Sequence, residues 1–517
     1  MIDQYNPFPA FRVGQREGII EALEASKDHN AIVLNAPTGS GKSLMLSIIA
    51  KAKIAEGDWT RAIYTTPQVS LVDQLRNDRH LNITTLAGKT NYPCATLPSL
   101  NASECPVPPK RRSNDLAQFV SGGETLSVKC SECPYKLAKA AFNSASLAAT
   151  TMDKLLFDKS VRRADILIMD ECQGLEEKLI NQSEIALPDY FDPLNPEESV
   201  KQWIRLLEME KMKSEKIQHE FRDSFRDDRL PSPATLQKVG HAGRKVNQIE
   251  RIIKKARHVL SVMTEEDQKY VIGDKKTFKL LYGREMFDRL TRNTRLVILA
   301  SGTPATQILA PNAVQIKVQH PIPIERRLVK FVPVGKMSAA SRQITIDTMA
   351  PYIAELHARF NRNTLVHCHS YRVAEELGNA VGDEGAKIAW MSPKSRSENI
   401  EQWKNSDGSI FMSVGCEEGL DLKGDKFPLN IVAVVPFTFR GDAWAMARED
   451  ADKKLPAEQR LGIVQTAISI QQACGRCCRD PLDFSESYIL DSNFGWFFRR
   501  YNNLFQDWFT DALMVAA

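Results

Sequence analysis

The sequence predicts an α/β chain with two parallel-sheet lobes, the first interrupted by a cysteine-rich insertion and by a mostly helical one. Short β-branched and aliphatic runs alternate with helix-like stretches in the first third: AIVLNA (31–36), RAIYTT (61–66) and ADILIMD (164–170). That rhythm suits parallel strands covered on both faces. It returns in RLVILASG (295–302), TLVHCHS (364–370), GSIFMSVG (408–415) and NIVAVVPF (430–437), which predict a second lobe. Between these regions the composition shifts twice. Residues 88–139 are rich in Pro, Ser, Asn and Cys, and 178–285 carry dense charge of both signs at helical spacing.

A chain of 517 residues exceeds one hydrophobic core, and typical domain sizes divide it into about three or four parts. With 43% apolar and 26% charged residues the composition is that of folded soluble protein. A net charge of +4 permits a local nucleic-acid groove without requiring one. MIDQYNPFPAF has no basic segment leading into an apolar run, so no secretory signal is expected, and no apolar stretch is long enough for a membrane span. Ten cysteines without an export signal imply a reducing, cytoplasmic setting, where clustered thiols hold metal more often than they form disulfides.

In chain order the expected parts are a first lobe at 1–87, the cysteine-rich insertion at 88–139, and a return to the first lobe at 140–177. A helical insertion follows at 178–285, then a last first-lobe strand within 286–306 and the second lobe at 307–517. The insertion at 88–139 has little core of its own. In the helical part, runs such as SVKQWIRLLEMEKMKSEKIQHEFRDSF read as solvated helix faces.

APTGSGKS (36–43) follows an apolar strand and precedes the helical run LMLSIIAKA, the setting of a phosphate-binding loop. Ala36, Pro37, Thr38, Gly39, Ser40 and Gly41 would curl the backbone N–H groups towards phosphate oxygens. Lys42 would face the β- and γ-phosphates, and the Ser43 hydroxyl would ligate Mg²⁺. Ala36 stands where the strict motif has Gly. LIMDECQ (167–173) supplies the partner: Asp170 to hold the metal and Glu171 to polarise the attacking water. QQACGRCCRD (471–480) adds Arg476 and Arg479, expected three apart on one helix face and able to stabilise charge on a transferring phosphoryl group.

FRVGQREGI (11–19), APTGSGKS, YTTPQVSLVDQL (64–75), DECQ (170–173), ASGTPA (300–305), SVGCEEGLDLKGD (413–425) and QQACGRCCR (471–479) follow the order of superfamily 2 helicase motifs. More narrowly, the chain resembles the XPD/DinG family of iron–sulfur DNA helicases. EEGLDLKGD is similar to that family's E-G-I-D-F-x-G signature, VVPF (434–437) to its strand followed by Pro-Phe, and ILDSNF (489–494) to its final motif. GKTNYPC (88–94) and Cys133-Pro134-Tyr135 resemble the opening and close of the family's cluster insertion. The resemblance implies two RecA-like lobes, ATP hydrolysed between them with Mg²⁺, and 5′→3′ movement on single-stranded DNA with unwinding of forked duplex. It implies that Arg12 and Gln15 touch the adenine side and that Glu418, Gly419, Asp421 and Gln472 complete the nucleotide site. Gln173 stands where the family has a His coupling the lobes, and Pro304 where Leu is commoner. A translocase that does not part strands and an ATP-gated damage-sensing protein are the alternatives.

Cys94, Cys105, Cys130 and Cys133 are spaced C-x10-C-x24-C-x2-C. Four thiolates suit either a cubane iron–sulfur cluster or tetrahedral zinc, and the residues alone leave both open. The resemblance implies a 4Fe–4S cluster. Cys474, Cys477 and Cys478 read instead as small buried thiols. His367 and His369 alternate on a predicted strand, which would put them on one face.

The insertion carries seven basic residues (Lys89, Lys110, Arg111, Arg112, Lys129, Lys136, Lys139) against four acidic ones, with Tyr92 and Tyr135 among them. Cations and flat rings suit a single strand, and a solvated loop with its tyrosines packed on the cluster is the alternative. The resemblance further implies that Thr66, Pro67 and Gln68 touch the DNA backbone and that Ser301, Gly302 and Thr303 link hydrolysis to movement. A monomer with no membrane contact is expected.

Overall fold

The aliphatic runs become the inner strands of two parallel sheets. The computed structural model describes residues 2–95, 101–102, 117–121, 124–128, 132–158, 163–188, 200–224, 233–261, 277–390, 396–415, 422, 426–438, 441, 443–478 and 480–515. In the first sheet the strand order is Val314–Lys317, Ala31–Asn35, Leu296–Ser301, Ile166–Asp170, Ala62–Thr66, Leu147–Thr151 and Thr84–Leu86. Every pairing is parallel. The central strands are buried along their length because helices cover both faces, which is why they read as unbroken apolar runs. Ile32, Leu34 and Ile298 form one core with Ile19 of the helix Gln15–Asp28 and Met45, Leu46 and Ile49 of the helix Lys42–Ala55. Fully burying each such side chain is worth about 1.5–3 kcal/mol, so these two helices are fixed firmly beneath the loop between them.

The second sheet has the order Ile388–Trp390, Ile410–Ser413, Thr364–His367, Leu429–Val432, Glu486–Asp491, Val329–Gly335 and Leu513–Val515, again all parallel. One face packs Val366, Met412 and Leu490 against Ile353 of the helix Arg342–Phe360 and Leu377 of the helix Tyr371–Asp383. The other carries an aromatic cluster of Phe331, Phe494, Phe497, Phe505 and Phe509. Phe331 and Phe494 meet edge-on with centroids 5.0 Å apart, and Phe505 and Phe509 lie tilted at 35°.

The first sheet extends past the expected boundary at residue 306. Val314–Lys317 pairs with Ala31–Asn35 and forms its edge, with Ile316 in the first core. This strand escapes the sequence because VQIK is short and half-exposed, and so is not an apolar run.

The described residues divide into two compact units. One holds both sheets: Met1–Gln173, Asn293–Thr438 and Gly462–Ala517. The other comprises Gly174–Arg292 and Phe439–Leu461. In the second unit the helices Val200–Ser224 and Pro233–Leu260 pack together. Lys211 pairs with Glu250 at 2.8 Å and Lys245 with Glu210 at 2.5 Å, so part of the charge read as a solvated face is spent between the two helices. A short antiparallel pair, Ile185–Ala186 with Thr277–Phe278, closes this unit, and Phe278 meets Trp203 edge-on at 6.4 Å. The helix Ala443–Asp452 belongs here although it lies between strands of the second sheet in sequence. Arg448 accounts for that placement: it is 3% exposed, with Nη2 3.0 Å from Glu176 Oε1 and Nε 2.8 Å from Asp452 Oδ1.

Candidate active site

Ala36, Pro37, Thr38, Gly39, Ser40 and Gly41 form the turn from the strand Ala31–Asn35 to the helix Lys42–Ala55. The Ala36 N–H donates to the Ser301 carbonyl at 2.9 Å, continuing the sheet ladder one residue into the loop. Gly39 and Gly41 have φ of 84° and 74°, the left-handed region where a side chain is disfavoured. A Cβ on Gly41 would also lie 2.2 Å from Gln15 Nε2. Gln15 Nε2 donates to the Ser40 carbonyl at 2.6 Å, Gln15 Oε1 accepts from the Arg12 N–H at 2.7 Å, and Arg12 Nη1 donates to the Gly39 carbonyl at 2.5 Å. Arg12 and Gln15 thus brace the loop through its Gly39 and Ser40 carbonyls.

Lys42 reaches the end of the strand Ile166–Asp170. Its Nζ is 2.6 Å from Glu171 Oε1 and 3.1 Å from Asp170 Oδ1. Burial opposes the Lys42 charge, but the two carboxylates outweigh it and hold the ammonium above its ordinary range. Burial also pushes the Asp170 carboxyl up, against the pull of Lys42. For Glu171 burial is overcome by Lys42, with help from Gln173 and Arg476, so its carboxyl is held below the usual range. Glu171 sits at φ 52°, a strained backbone for a non-glycine residue. The left-handed turn swings its side chain back to Lys42.

Tyr64, the first residue of YTTPQVSLVDQL, stands on the neighbouring strand. Its hydroxyl donates to Asp170 Oδ2 at 2.5 Å and lies 3.4 Å from Ser43 Oγ. Ser43 and Asp170 therefore share one neighbour, and a hydroxyl beside a carboxylate is a hard-oxygen donor set that fits Mg²⁺.

A path of hydrogen bonds leads from Glu171 towards the second sheet. Gln173 Nε2 donates to Glu171 Oε2 at 3.1 Å, and Gln173 Oε1 accepts from Ser301 Oγ at 2.6 Å. Ser301 Oγ accepts from the Thr303 N–H at 3.0 Å, and Thr303 Oγ1 accepts from Gln472 Nε2 at 3.5 Å. Gln472 lies on the helix Leu461–Cys474. Beside this path Trp508 Nε1 donates to the Gly302 carbonyl at 2.9 Å. Lys317 pairs with Asp507 at 2.6 Å, and Asn35 Nδ2 donates to Gln506.

Two expectations need correction. Arg476 is buried but lies beyond the helix on which it was expected, because that helix stops at Cys474. Asn430 Nδ2 donates to the Ala473 carbonyl at 2.6 Å and Ser487 Oγ to the Cys474 carbonyl at 3.0 Å, taking carbonyls that another turn would need. Nor do His367 and His369 share a strand face. The strand ends at His367, which is buried with Nε2 3.0 Å from Asn430 Oδ1, while His369 turns out at φ 61°.

Arg479, Glu418, Gly419, Asp421, Cys105 and Cys130 lie outside the described residues. Cys94 and Cys133 are half-buried free thiols, the latter at the N-cap of the helix Pro134–Ser144. Each is two residues from one member of a ring pair: Tyr92 and Tyr135 meet with centroids 5.5 Å apart. The segments that carry these two cysteines are therefore neighbours, and no group of three metal-ligating side chains occurs among the described residues. Tyr135 is 7% exposed, its hydroxyl accepting from Lys154 Nζ at 2.5 Å, so its ring is packing and not a platform for a base. Cys474, Cys477 and Cys478 are buried as expected, and burial raises the Cys474 and Cys478 thiols. Among the described residues no helix is long and apolar enough to cross a membrane.

Residues 353–512 match the family Helicase C-terminal domain, and residues 9–193 match Type III restriction enzyme, res subunit. The structure of S. tokodaii Xpd4 aligns with a TM-score of 0.58 at 16% identity, over 97% of this chain and 99% of its own. A second solved structure, an XPD helicase, aligns with a TM-score of 0.59 at 16% identity, over 98% of this chain and 100% of its own. This chain has the XPD helicase fold. The XPD-type fold supplies the two RecA-like domains implied by the motif order, and the loop 36–43 and the Asp170–Gln173 box lie at strand ends of the first. A probable ATP-dependent helicase of Methanocaldococcus jannaschii is 27% identical over 203 residues, covering 35% of this chain and 31% of the relative's own length.

Proposed function

We propose that the protein is an ATP-dependent DNA helicase that moves 5′→3′ on single-stranded DNA and unwinds forked duplex, hydrolysing ATP between its two RecA-like lobes. The observation that carries the reading is the joined set Lys42, Asp170, Glu171, Gln173, Ser301, Thr303 and Gln472, which ties a phosphate-binding loop to the opposite lobe in an XPD-type fold.

The phosphates of ATP would meet the N–H groups of residues 39–43 and draw Lys42 from the carboxylates it now holds. Ser43 and Asp170 would hold Mg²⁺, which when bound neutralises phosphate charge. Glu171, kept ionised at neutral pH, would orient the attacking water and take its proton. Arg476, with Arg479, would stabilise charge on the transferring phosphoryl group, and Gln173 would report the change at Glu171 to Ser301 and Thr303. Glu418, Gly419 and Asp421 are assigned to the nucleotide site with Arg12, Gln15 and Gln472. Cys94, Cys105, Cys130 and Cys133 are assigned to a 4Fe–4S cluster, which would staple an insertion with little core of its own.

A forked duplex with one labelled strand and a single 5′ or 3′ tail tests the reading. ATP and Mg²⁺ should release the strand from the 5′-tailed fork and not from the 3′-tailed one. ATP hydrolysis stimulated by single strands without any release would mark a translocase, and DNA binding without hydrolysis would mark an ATP-gated binder.

A further inference from the structure

Tyr64 has no part in the loop or the carboxylate box, yet it touches both. Its strand, Ala62–Thr66, runs parallel to Ile166–Asp170 with Tyr64 opposite Ile168. Its side chain is fully buried, so its hydroxyl must find a protein partner or forfeit about 1–3 kcal/mol. The partner is Asp170 Oδ2, at 2.5 Å, with Ser43 Oγ next at 3.4 Å. The other Asp170 oxygen is engaged separately: Oδ1 lies 3.1 Å from Lys42 Nζ and accepts from the Glu171 N–H at 2.9 Å. One oxygen is thus anchored from behind by a rigid ring while the other faces the loop, which fixes the rotation of the carboxylate about its last bond. Phenylalanine would fill the same space; only the hydroxyl makes these contacts.

We propose that Tyr64 is the positioning residue for the divalent cation, holding the Asp170 carboxylate and the Ser43 hydroxyl in the arrangement that the metal–nucleotide complex requires. The proposal rests on the ATPase reading above and adds a residue that acts through Asp170 without touching nucleotide. Groups that orient a metal ligand govern metal affinity about ten- to a hundredfold.

The test is Mn²⁺ binding by electron paramagnetic resonance with ADP present, on wild type and Tyr64→Phe, alongside ADP binding in metal-free buffer and urea unfolding. The expected result is Mn²⁺ affinity lowered about ten- to a hundredfold in the variant, with metal-free ADP affinity unaltered and the loss absent when Asp170→Asn is already in place. Mn²⁺ affinity equal in the two proteins overturns the proposal, whatever the change in unfolding midpoint. Wild type that binds neither Mn²⁺ nor ADP removes the ATPase reading and the proposal with it, a result distinct from an unaffected variant. If Tyr64→Phe does not fold, 3-fluorotyrosine at position 64 reports directly. Its fluorine resonance should move when Mg²⁺ is added with ADP, and a resonance blind to the metal overturns the proposal.

Discussion

Arg448→Met should destabilise the helical unit strongly, and the loss should depend on pH in a defined sense. The guanidinium is 3% exposed and bridges Glu176 and Asp452, which are 6% and 4% exposed. It also covers the Tyr282 ring at 4.2 Å and donates to the Leu281 carbonyl. Methionine replaces most of the stem and none of the charge, leaving two buried carboxylates without a cation. Removing one member of a buried ion pair costs about 3–5 kcal/mol, whereas neutralising every member together is often close to neutral. Burial already raises the Glu176 carboxyl, with Arg448 pulling it back; without Arg448 it rises further. A carboxyl whose folded-state pKa is raised binds its proton more tightly in the folded state. The penalty is therefore full above that pKa and shrinks as pH falls through it. Urea unfolding followed by tryptophan fluorescence measures the loss, since Trp203 is buried in this unit and Trp444 Nε1 donates to the Leu280 carbonyl at 3.0 Å. Hydrogen exchange of the helices Val200–Ser224 and Pro233–Leu260 would localise it. The loss should be larger at about pH 8 than at about pH 5, and adding Glu176→Gln and Asp452→Asn should restore most of it. A loss under about 1 kcal/mol, the scale of an exposed pair, or one that grows in acid, would refute the reasoning.

Lys42→Ala should abolish ATP hydrolysis in a coupled assay while the circular dichroism spectrum is retained, because its Nζ pairs with the Asp170 and Glu171 side chains at a strand end and holds no core element in place. Gly41→Ala forces a left-handed backbone at φ 74° and a clash with Gln15; fluorescent-nucleotide affinity should fall at least about tenfold, equivalent to 1.4 kcal/mol. Gln173→Ala removes both the amide given to Glu171 and the oxygen offered to Ser301. Stimulation of hydrolysis by single-stranded DNA should fall further than nucleotide affinity does. Cys133→Ser should lower the iron content of protein purified without air and reduce unwinding more than ATP hydrolysis; full iron occupancy would remove Cys133 from the ligand set.

The sheets and the first half of the site were legible because each depends on a local pattern. An apolar run followed by a glycine turn and a helix specifies strand, loop and Lys42 within a dozen or so residues, and Asp170–Glu171 terminates another such run. What could not be read depends on pairs distant in sequence. VQIK (314–317) looks like a loop until Ala31–Asn35 offers it an edge. Arg448 looks like one charge among many on an exposed helix until Glu176 faces it from far upstream. The end of the helix at Cys474 is marked locally only by Gly475, and the Ala473 and Cys474 carbonyls it leaves are taken by Asn430 and Ser487 on strands distant in sequence. Tyr64 was in view within the YTTP motif, but nothing in a strand-period pattern marks a buried hydroxyl as paired to a carboxylate on the next strand.

Glutamine at position 173 is explained by the direction of the bonds around it. The path needs a side chain that donates at one end and accepts at the other, and a carboxamide does both without titrating. A histidine there would lose its acceptor on protonation, and with it the bond from Ser301. From the far end inwards, Gln472 donates to Thr303, the Thr303 N–H to Ser301, Ser301 to Gln173, and Gln173 to Glu171. From the Thr303 N–H through Ser301 and Gln173 the donations run towards the carboxylate, so these bonds polarise one another towards a negative charge, while Gln472 reaches Thr303 at a separate atom, Oγ1. The same charge is shared with Lys42 at 2.6 Å. Anything that draws Lys42 away leaves the Glu171 carboxylate with the hydrogen bond from Gln173. The weakest link is the last: at 3.5 Å, Gln472 to Thr303 is at the limit of a hydrogen bond, and it joins the two lobes. Opening of the lobes would break the path there first, leaving the first-lobe part from Thr303 to Glu171 intact and ready to engage again on closure.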